Sequence, residues 1–348
     1  MHVFNWLAIS ENVRMDGQFC RVPDKSEKSP KKCHEKSLEK IIVKALAIAG
    51  CCLAAGDASA DTGKLLLTGG VSAISGAAGG GLTPWAVIGT NATRSEFGVS
   101  AFATRATTQD YGLNLFGAAL AHNERFEVSS ARQDFDASPA IALNSIAPFG
   151  ISPGQHLNMD VLGLKLKVAG DAVLDSDSFM PLIAIGLEHK NVVPGTLNSV
   201  FNFLGTKTSG TDLYVSATKL FLAQGLMLNG TLRYTNANQN GLLGFGSGAP
   251  GKDGYSVMPE VSVAYLLSKN LAIGAEYRFK PNNLQALGQA AGLGDGLAED
   301  DWKDIFIAWA PTKNASLTLA YVDLGRIVPG VTNNRSQTGF YLSAQLAF

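Results

Sequence analysis

The chain has 348 residues, a formal charge of −1, 46% hydrophobic residues and only 16% charged ones. Soluble domains carry about 25% charged residues, so composition argues against an ordinary water-facing surface, and the near-neutral balance excludes the basic footprint that nucleic acid needs. No run of about 20 apolar residues occurs after position 60, which excludes transmembrane helices in the body and leaves alternation along β-strands as the way to hide hydrophobicity.

In chain order, residues 1–37 are polar and Lys-rich (KSEKSPKKCHEK) and read as a segment without structure of its own. It is either a long n-region or the product of a start placed too far upstream, with Leu38 or Val43 as an alternative first codon. Residues 38–60 read as a signal peptide: Lys40 and Lys44 charge its start, Ala45 to Ala55 form the apolar core, and Ala58-Ser59-Ala60 is a small-residue cleavage site. Cleavage after Ala60 makes Asp61 the first exported residue. A rival cut lies at Ile48-Ala49-Gly50-Cys51, where Cys51 would be lipidated. All four cysteines precede Asp61, so a chain cut there has no thiol for disulfides, zinc sites or nucleophilic catalysis.

From 61 to 348, period-2 segments alternate with turn signals. Strands are expected near 64–74, 84–93, 96–107, 110–121, 124–134, 158–169, 180–190, 211–222, 225–236, 255–267, 270–280, 301–310, 314–324 and 337–348. Gly79-Gly80-Gly81 marks either a bend near the start of the wall or part of a plug folded inward. Several joints are tight, at Arg94-Ser95, Ala223-Gln224, Ser268-Lys269 and Pro311 to Lys313. Others are long, at 135–157, 191–210, 237–254, 281–300 and 325–336. The two kinds alternate along most of the chain, as in outer-membrane barrels with short periplasmic turns and long outer loops. The joint near Gln109 and the segment 170–179 break the rule. The fold expected is all-β: a closed antiparallel transmembrane barrel of about 14 strands, with 12 as the alternative.

The alternation assigns faces. Leu226, Leu228, Leu232 and Tyr234 oppose Asn229, Thr231, Arg233 and Thr235; Ile273, Ala275 and Tyr277 oppose Glu276, Arg278 and Lys280. In the last strand Phe340, Leu342, Leu346 and Phe348 share a face, and a strand ending on phenylalanine resembles the targeting strand read by the outer-membrane insertion machinery. Aromatics at strand ends (Tyr111, Phe126, Tyr234, Tyr255, Tyr265, Trp302, Trp309, Tyr321) read as interfacial girdles. Arg or Lys facing lipid near mid-membrane costs about 2–4 kcal/mol. Lys165, Lys167, Glu188, Lys190, Arg233, Glu260, Glu276, Arg278 and Lys280 are therefore placed in the lumen, either as ion pairs that brace the wall or as a constriction that selects solutes.

The stretches LLLTGGVSAISGAAGGGLTPWA (65–86), GTDLYVSATKLFL (210–222), GTLRYTNANQNGLLGFG (230–246), PEVSVAYLLSKNLAIGAEYRFKPNNL (259–284) and AYVDLG (320–325) resemble an uncharacterised family of proteobacterial outer-membrane proteins. The resemblance implies a barrel and an exported location, and it carries no established substrate or catalytic residue. A looser architectural likeness links the chain to barrels that take up hydrophobic compounds.

Other chemistry finds little support. Gly246 to Lys252 has phosphate-loop spacing, but Asp253 stands where Ser or Thr must bind magnesium, and a strand follows where a helix is needed. Glu299, Asp300, Asp301 and Asp304 lack EF-hand spacing. His122 near Ser129 and Ser130 could form a hydrolytic dyad, although no G-x-S-x-G motif is present. No metal, cofactor or catalytic residue is expected. The partners expected are outer-membrane lipid, periplasmic chaperones, the insertion machinery and a small-molecule solute. The function expected is a passive channel or transporter for small solutes, with hydrophobic ones as one option, and with a non-transporting plugged barrel and a lipid hydrolase as alternatives.

Overall fold

The computed structural model describes residue 67 and residues 69–91, 96–170, 180–329 and 334–348. The extension (1–37), the signal segment (38–60), the Ala60–Asp61 cut and Cys51 lie outside the described residues.

Two short strands, β1 (Val71–Ser72) and β2 (Ala78–Gly79), pair only with each other. Twelve longer antiparallel strands form a closed barrel: β3 (Phe97–Thr108), β4 (Gly112–His122), β5 (Phe126–Asp136), β6 (His156–Ala169), β7 (Leu182–Val193), β8 (Ser209–Phe221), β9 (Leu226–Thr235), β10 (Ser256–Ser268), β11 (Leu271–Arg278), β12 (Trp302–Thr312), β13 (Ala315–Asp323) and β14 (Thr338–Ala347). Each of the twelve pairs with its sequence neighbours, and β14 closes on β3 through pairs such as Leu342↔Arg105 and Leu346↔Ala101. Beyond the last strand, the Phe348 and Val99 backbones exchange hydrogen bonds of 2.8 and 3.0 Å. Among the described residues no helix is long and apolar enough to cross a membrane; the strands do so.

The strand count of the wall is the smaller of the two expected, because the described residues of the segments at 64–74 and 84–93 do not join it. Residues 69–91 instead run inside the barrel, carrying β1 and β2, with Ala73, Thr83 and Ala86 fully buried. This is the inward-folded plug allowed for by the triple glycine. Its close seating needs the absence of side chains: a Cβ on Gly80 would collide with the Glu276 carboxylate, and one on Gly79 would collide with the Thr83 carbonyl.

The faces fall as the alternation dictates. Ile305 and Phe340 are each 61% exposed, and Val257, Leu232 and Leu342 are uncovered like them. So many apolar side chains on the outside of a closed wall need lipid as their solvent. Tyr234 stacks on Tyr255, and Tyr321 meets Phe340 edge to face, at the long-loop end. Trp302 and Tyr111 depart from the girdle reading: both are buried inside.

Three lumenal aromatics lie over glycines directly across the ladder: Phe102 on Gly117, Tyr214 on Gly186 and Phe306 on Gly274. A Cβ at Gly186 would run into the Tyr214 ring, which is itself held by the Arg233 guanidinium 5.4 Å above it. Gly186→Ala is therefore expected to lower barrel stability by about 1–3 kcal/mol, an overpacking cost, readable as a shift in urea midpoint with unchanged slope. An unshifted midpoint would mean the ring can move aside.

Candidate functional site: the plugged lumen

The charged residues assigned to the lumen lie on inward positions of β6 to β11, with Lys280 two residues past the end of β11, and most of them converge. Arg233 is the centre. Its Nε donates to Glu260 at 2.5 Å, and its Nη1 donates to Glu188 at 2.7 Å and to Asp212 at 3.4 Å. Lys190 bridges Asp212 (2.7 Å) and Glu188 (3.3 Å). Arg278 reaches Glu260 at 3.2 Å. The outer loop between β9 and β10 dips into this cluster. Its Gln239 and Asn240 adopt left-handed backbone angles (φ 45° and 59°), and the Asn240 side-chain carbonyl accepts from Lys190 and Arg278, both at 2.7 Å. One oxygen each of Glu188, Asp212 and Glu260, and Nη2 of Arg233, make no hydrogen bond among the described residues. The network thus braces the lumen with some of its polar capacity unused, which keeps its net stabilisation below what its bond count suggests.

A second set of buried charges holds the plug. Glu127 accepts from the Ala78 and Gly89 backbone N–H groups (3.0 and 2.8 Å), and Lys165, 3.3 Å from Glu127, donates to the Ala78 and Val87 carbonyls. Glu276 accepts from Leu82 N–H (2.7 Å), the Thr83 hydroxyl (2.5 Å) and the Ser262 hydroxyl (2.8 Å), and Arg278 donates to the Leu82 carbonyl. Lys280 stands higher. It pairs with Glu299 at 3.1 Å, donates to Gln239 and lies 4.4 Å above the Trp302 ring. Burial is the main reason the Glu299 carboxyl sits above its ordinary range, with Lys280 opposing the shift. Lys167 does not join either set; it lines the short-turn rim with Glu124 and Arg125.

Sequence reasoning missed Glu127 and Asp212, and considered Asp304 only within an acidic cluster, whereas the structure buries it on β12. Asp212 continues the inward row of Tyr214, Ser216 and Thr218, so parity alone could have found it. Glu127 is harder, because Arg132 on the same strand faces outward, where it pairs with Asp160. The wall is lopsided as a result: the Arg233 network occupies β7 to β11 and the Glu127–Lys165 pair β5 and β6, while the opposite side presents Phe102, Ala106, Leu115, Tyr341 and hydroxyls such as Thr104 and Ser343.

Above the plug, the outer loops enclose an apolar cavity of about 260 Å³. Its walls include Phe149, Phe201, Leu243, Leu284 and Leu297, contributed partly by the loop helix α1 (Asn198–Leu204) and by residues flanking α2 (Gln285–Ala290). It adjoins a deeper chamber of about 60 Å³ with which it shares Tyr111, Phe135, Gln239, Leu243 and Ile327. The remaining candidates separate. His122 faces outward and stacks on Phe97 at 4.2 Å, across the ladder from Phe126, while Ser129 is buried in the lumen and Ser130 lies four positions along the strand. No hydrolytic dyad is assembled. Asp300 is held by Arg326 (2.7 and 2.9 Å), Asp301 accepts from Tyr277, and Glu299 and Asp304 point elsewhere, so the four acids do not converge. Lys252 donates to Ser256, and Asp253 is bound by Lys207.

Residues 68–345 match the family described as "Protein of unknown function (DUF3034)". The chain belongs to that family. No curated protein matches this DUF3034 chain. Among solved structures it is similar to the KdgM porin in complex with disordered oligogalacturonate (10% identity, 72% of this chain and 99% of that one, TM-score 0.43). It is similar to the NanC porin (9% identity, 71% and 98%, TM-score 0.43). The outer membrane phospholipase A from Escherichia coli is also similar (10% identity, 72% and 92%, TM-score 0.37).

Proposed function

We propose that this barrel resides in the outer membrane and admits a small apolar solute from outside, with the plug as its closed gate. The observation that carries the reading is the apolar cavity over the plug. Ligand sites are concave and mostly apolar with few polar groups, whereas an open hydrophilic pore needs a water-filled passage, which ion pairs and plug occupy here. Export after cleavage between Ala60 and Asp61, and delivery by chaperones and insertion machinery reading Phe340, Leu342, Leu346 and Phe348, belong to the same reading. Those four side chains share the outward face of β14 and its end, where such a reader could reach them before closure. The charged lumenal residues, Arg233 and Glu260 foremost, then act as a barrier to ions more than as a selective constriction.

The test is accumulation of an apolar fluorescent dye, N-phenylnaphthylamine, in cells with and without the barrel. Wild type is expected to raise the initial rate several-fold, and Leu243→Trp, which fills the wall shared by both chambers, is expected to return it to background. Equal rates for wild type, variant and empty cells would favour the second reading: a structural barrel whose lumen is simply filled. Mass analysis of the exported chain checks the Asp61 start, and a lipidated Cys51 would overturn it.

A further inference from the structure

The deeper chamber has a polar feature that neither the ion network nor the plug uses. Asp304 on β12 is 4% exposed, and neither of its carboxylate oxygens makes a hydrogen bond among the described residues. The Tyr341 hydroxyl and the Trp302 indole N–H, also buried, are likewise without a hydrogen bond there. The Glu276 backbone N–H and the Ser343 hydroxyl come near Asp304 and Tyr341 respectively, but not in bonding geometry. All three residues line the same chamber, whose other walls include Leu82, Leu113, Phe135 and Val322. Most buried polar groups in proteins are paired, and an unpaired one costs about 1–3 kcal/mol. Three such groups around one cavity point to a ligand that supplies their partners.

Resting on the uptake reading above, we infer that this chamber binds the hydroxyl end of a neutral, mostly apolar molecule, whose body occupies the larger cavity. A hydroxyl both donates and accepts. It can donate to Asp304 while accepting from the Trp302 N–H, with the Tyr341 hydroxyl free to take either part. A carboxylate cannot do this. It would lie beside Asp304 and Glu276, which face each other across the β11–β12 ladder, and like charges at such range are unfavourable. A plain hydrocarbon leaves all three groups unpaired. The site therefore selects phenols or alcohols over acids and over hydrocarbons. The volumes agree: a cavity of about 150 Å³ accommodates benzene, so about 260 Å³ takes a substituted ring and about 60 Å³ takes its polar end.

The experiment is calorimetric titration of the purified barrel in detergent with three matched probes: 4-propylphenol, propylbenzene and 4-propylbenzoate. The phenol is expected to bind at least roughly tenfold more tightly than the hydrocarbon, as one good hydrogen bond allows, and the benzoate more weakly than either. Asp304→Asn and Tyr341→Phe keep the shape of the chamber and should shrink the phenol's advantage while leaving propylbenzene unchanged. Heat-modifiable mobility on gels confirms that each variant is folded. Equal affinity for phenol and hydrocarbon, or a preference for benzoate, overturns the hydroxyl assignment and leaves the apolar cavity standing. Absence of binding by all three overturns both.

Discussion

Arg233→Ala is expected to cost the barrel about 3–5 kcal/mol, the range for breaking a buried ion pair from one side. The guanidinium touches Glu188, Asp212 and Glu260, three acids from three different strands, and lies over Tyr214. Its removal leaves those carboxylates in a closed lumen with only Lys190 and Arg278 to balance them. Guanidinium unfolding followed by tryptophan fluorescence gives the change directly. The companion measurement is Arg233→Met with Glu260→Gln. Because the second substitution removes one of the stranded charges, the double variant should lose less than the sum of the two singles. A loss below about 1 kcal/mol for Arg233→Ala would mean that water solvates these acids and that the lumen is open where the packing closes it.

Deleting the plug, residues 69–90, is expected to convert a silent barrel into a conducting one, with conductance across a planar bilayer rising by roughly an order of magnitude or more over the wild-type background. The deletion is geometrically mild. Leu67 and Asn91 line one small pocket at the short-turn end, so the cut ends lie close together. The wall loses no strand, and Glu127, Lys165 and Glu276 exchange their plug contacts for water. The path opened runs along β12–β14 and β3–β5, where, apart from Glu127 and Asp304, inward side chains are mostly hydroxylated or apolar, and it skirts the Arg233 network on the other side. A folded deletion variant that stays silent would show that the outer loop carrying Gln239 and Asn240 closes the lumen unaided. Glu127→Gln is the gentler counterpart: it retains the plug but weakens its two backbone anchors, and brief openings are its expected signature.

Much of the wall is legible in the amino-acid sequence alone. Where lipid lies on one side and polar lumen on the other, each residue must commit to a face. That commitment writes a period of two which survives in Leu226 to Thr235 and in Phe340 to Phe348. It also sorts Glu188, Lys190, Arg233, Glu260, Glu276 and Arg278 into the lumen, since charge at mid-membrane has nowhere else to go. The plug is not legible in the same way. Its residues are mostly glycine, alanine and serine, small enough to satisfy either side of a strand, so 64–74 and 84–93 read as wall, although the hydrogen-bond partners of the plug residues lie inside. Whether such a segment becomes a strand depends on what it pairs with, and that is not local information. Asn240, Gln239 and Glu299 are hidden for a related reason: they reach the lumen from loops whose backbone turns periodicity does not encode. Trp302 and Tyr111 show the limit of reading aromatics by their distance from strand ends, because parity, and not position, decides which way a ring points.

The lopsided lumen has an electrical consequence. Most of the buried ionic groups gather along β7–β11, with Glu127, Lys165 and Asp304 on the rest of the wall, so the field inside the barrel runs mainly across the lumen. A molecule between the two walls would feel a torque before it felt a barrier. One with a dipole would be turned edge-on, its polar edge toward the ionic side, whereas one without a dipole would tumble. Under the proposed uptake, such a lumen would sort molecules by orientation as well as by size.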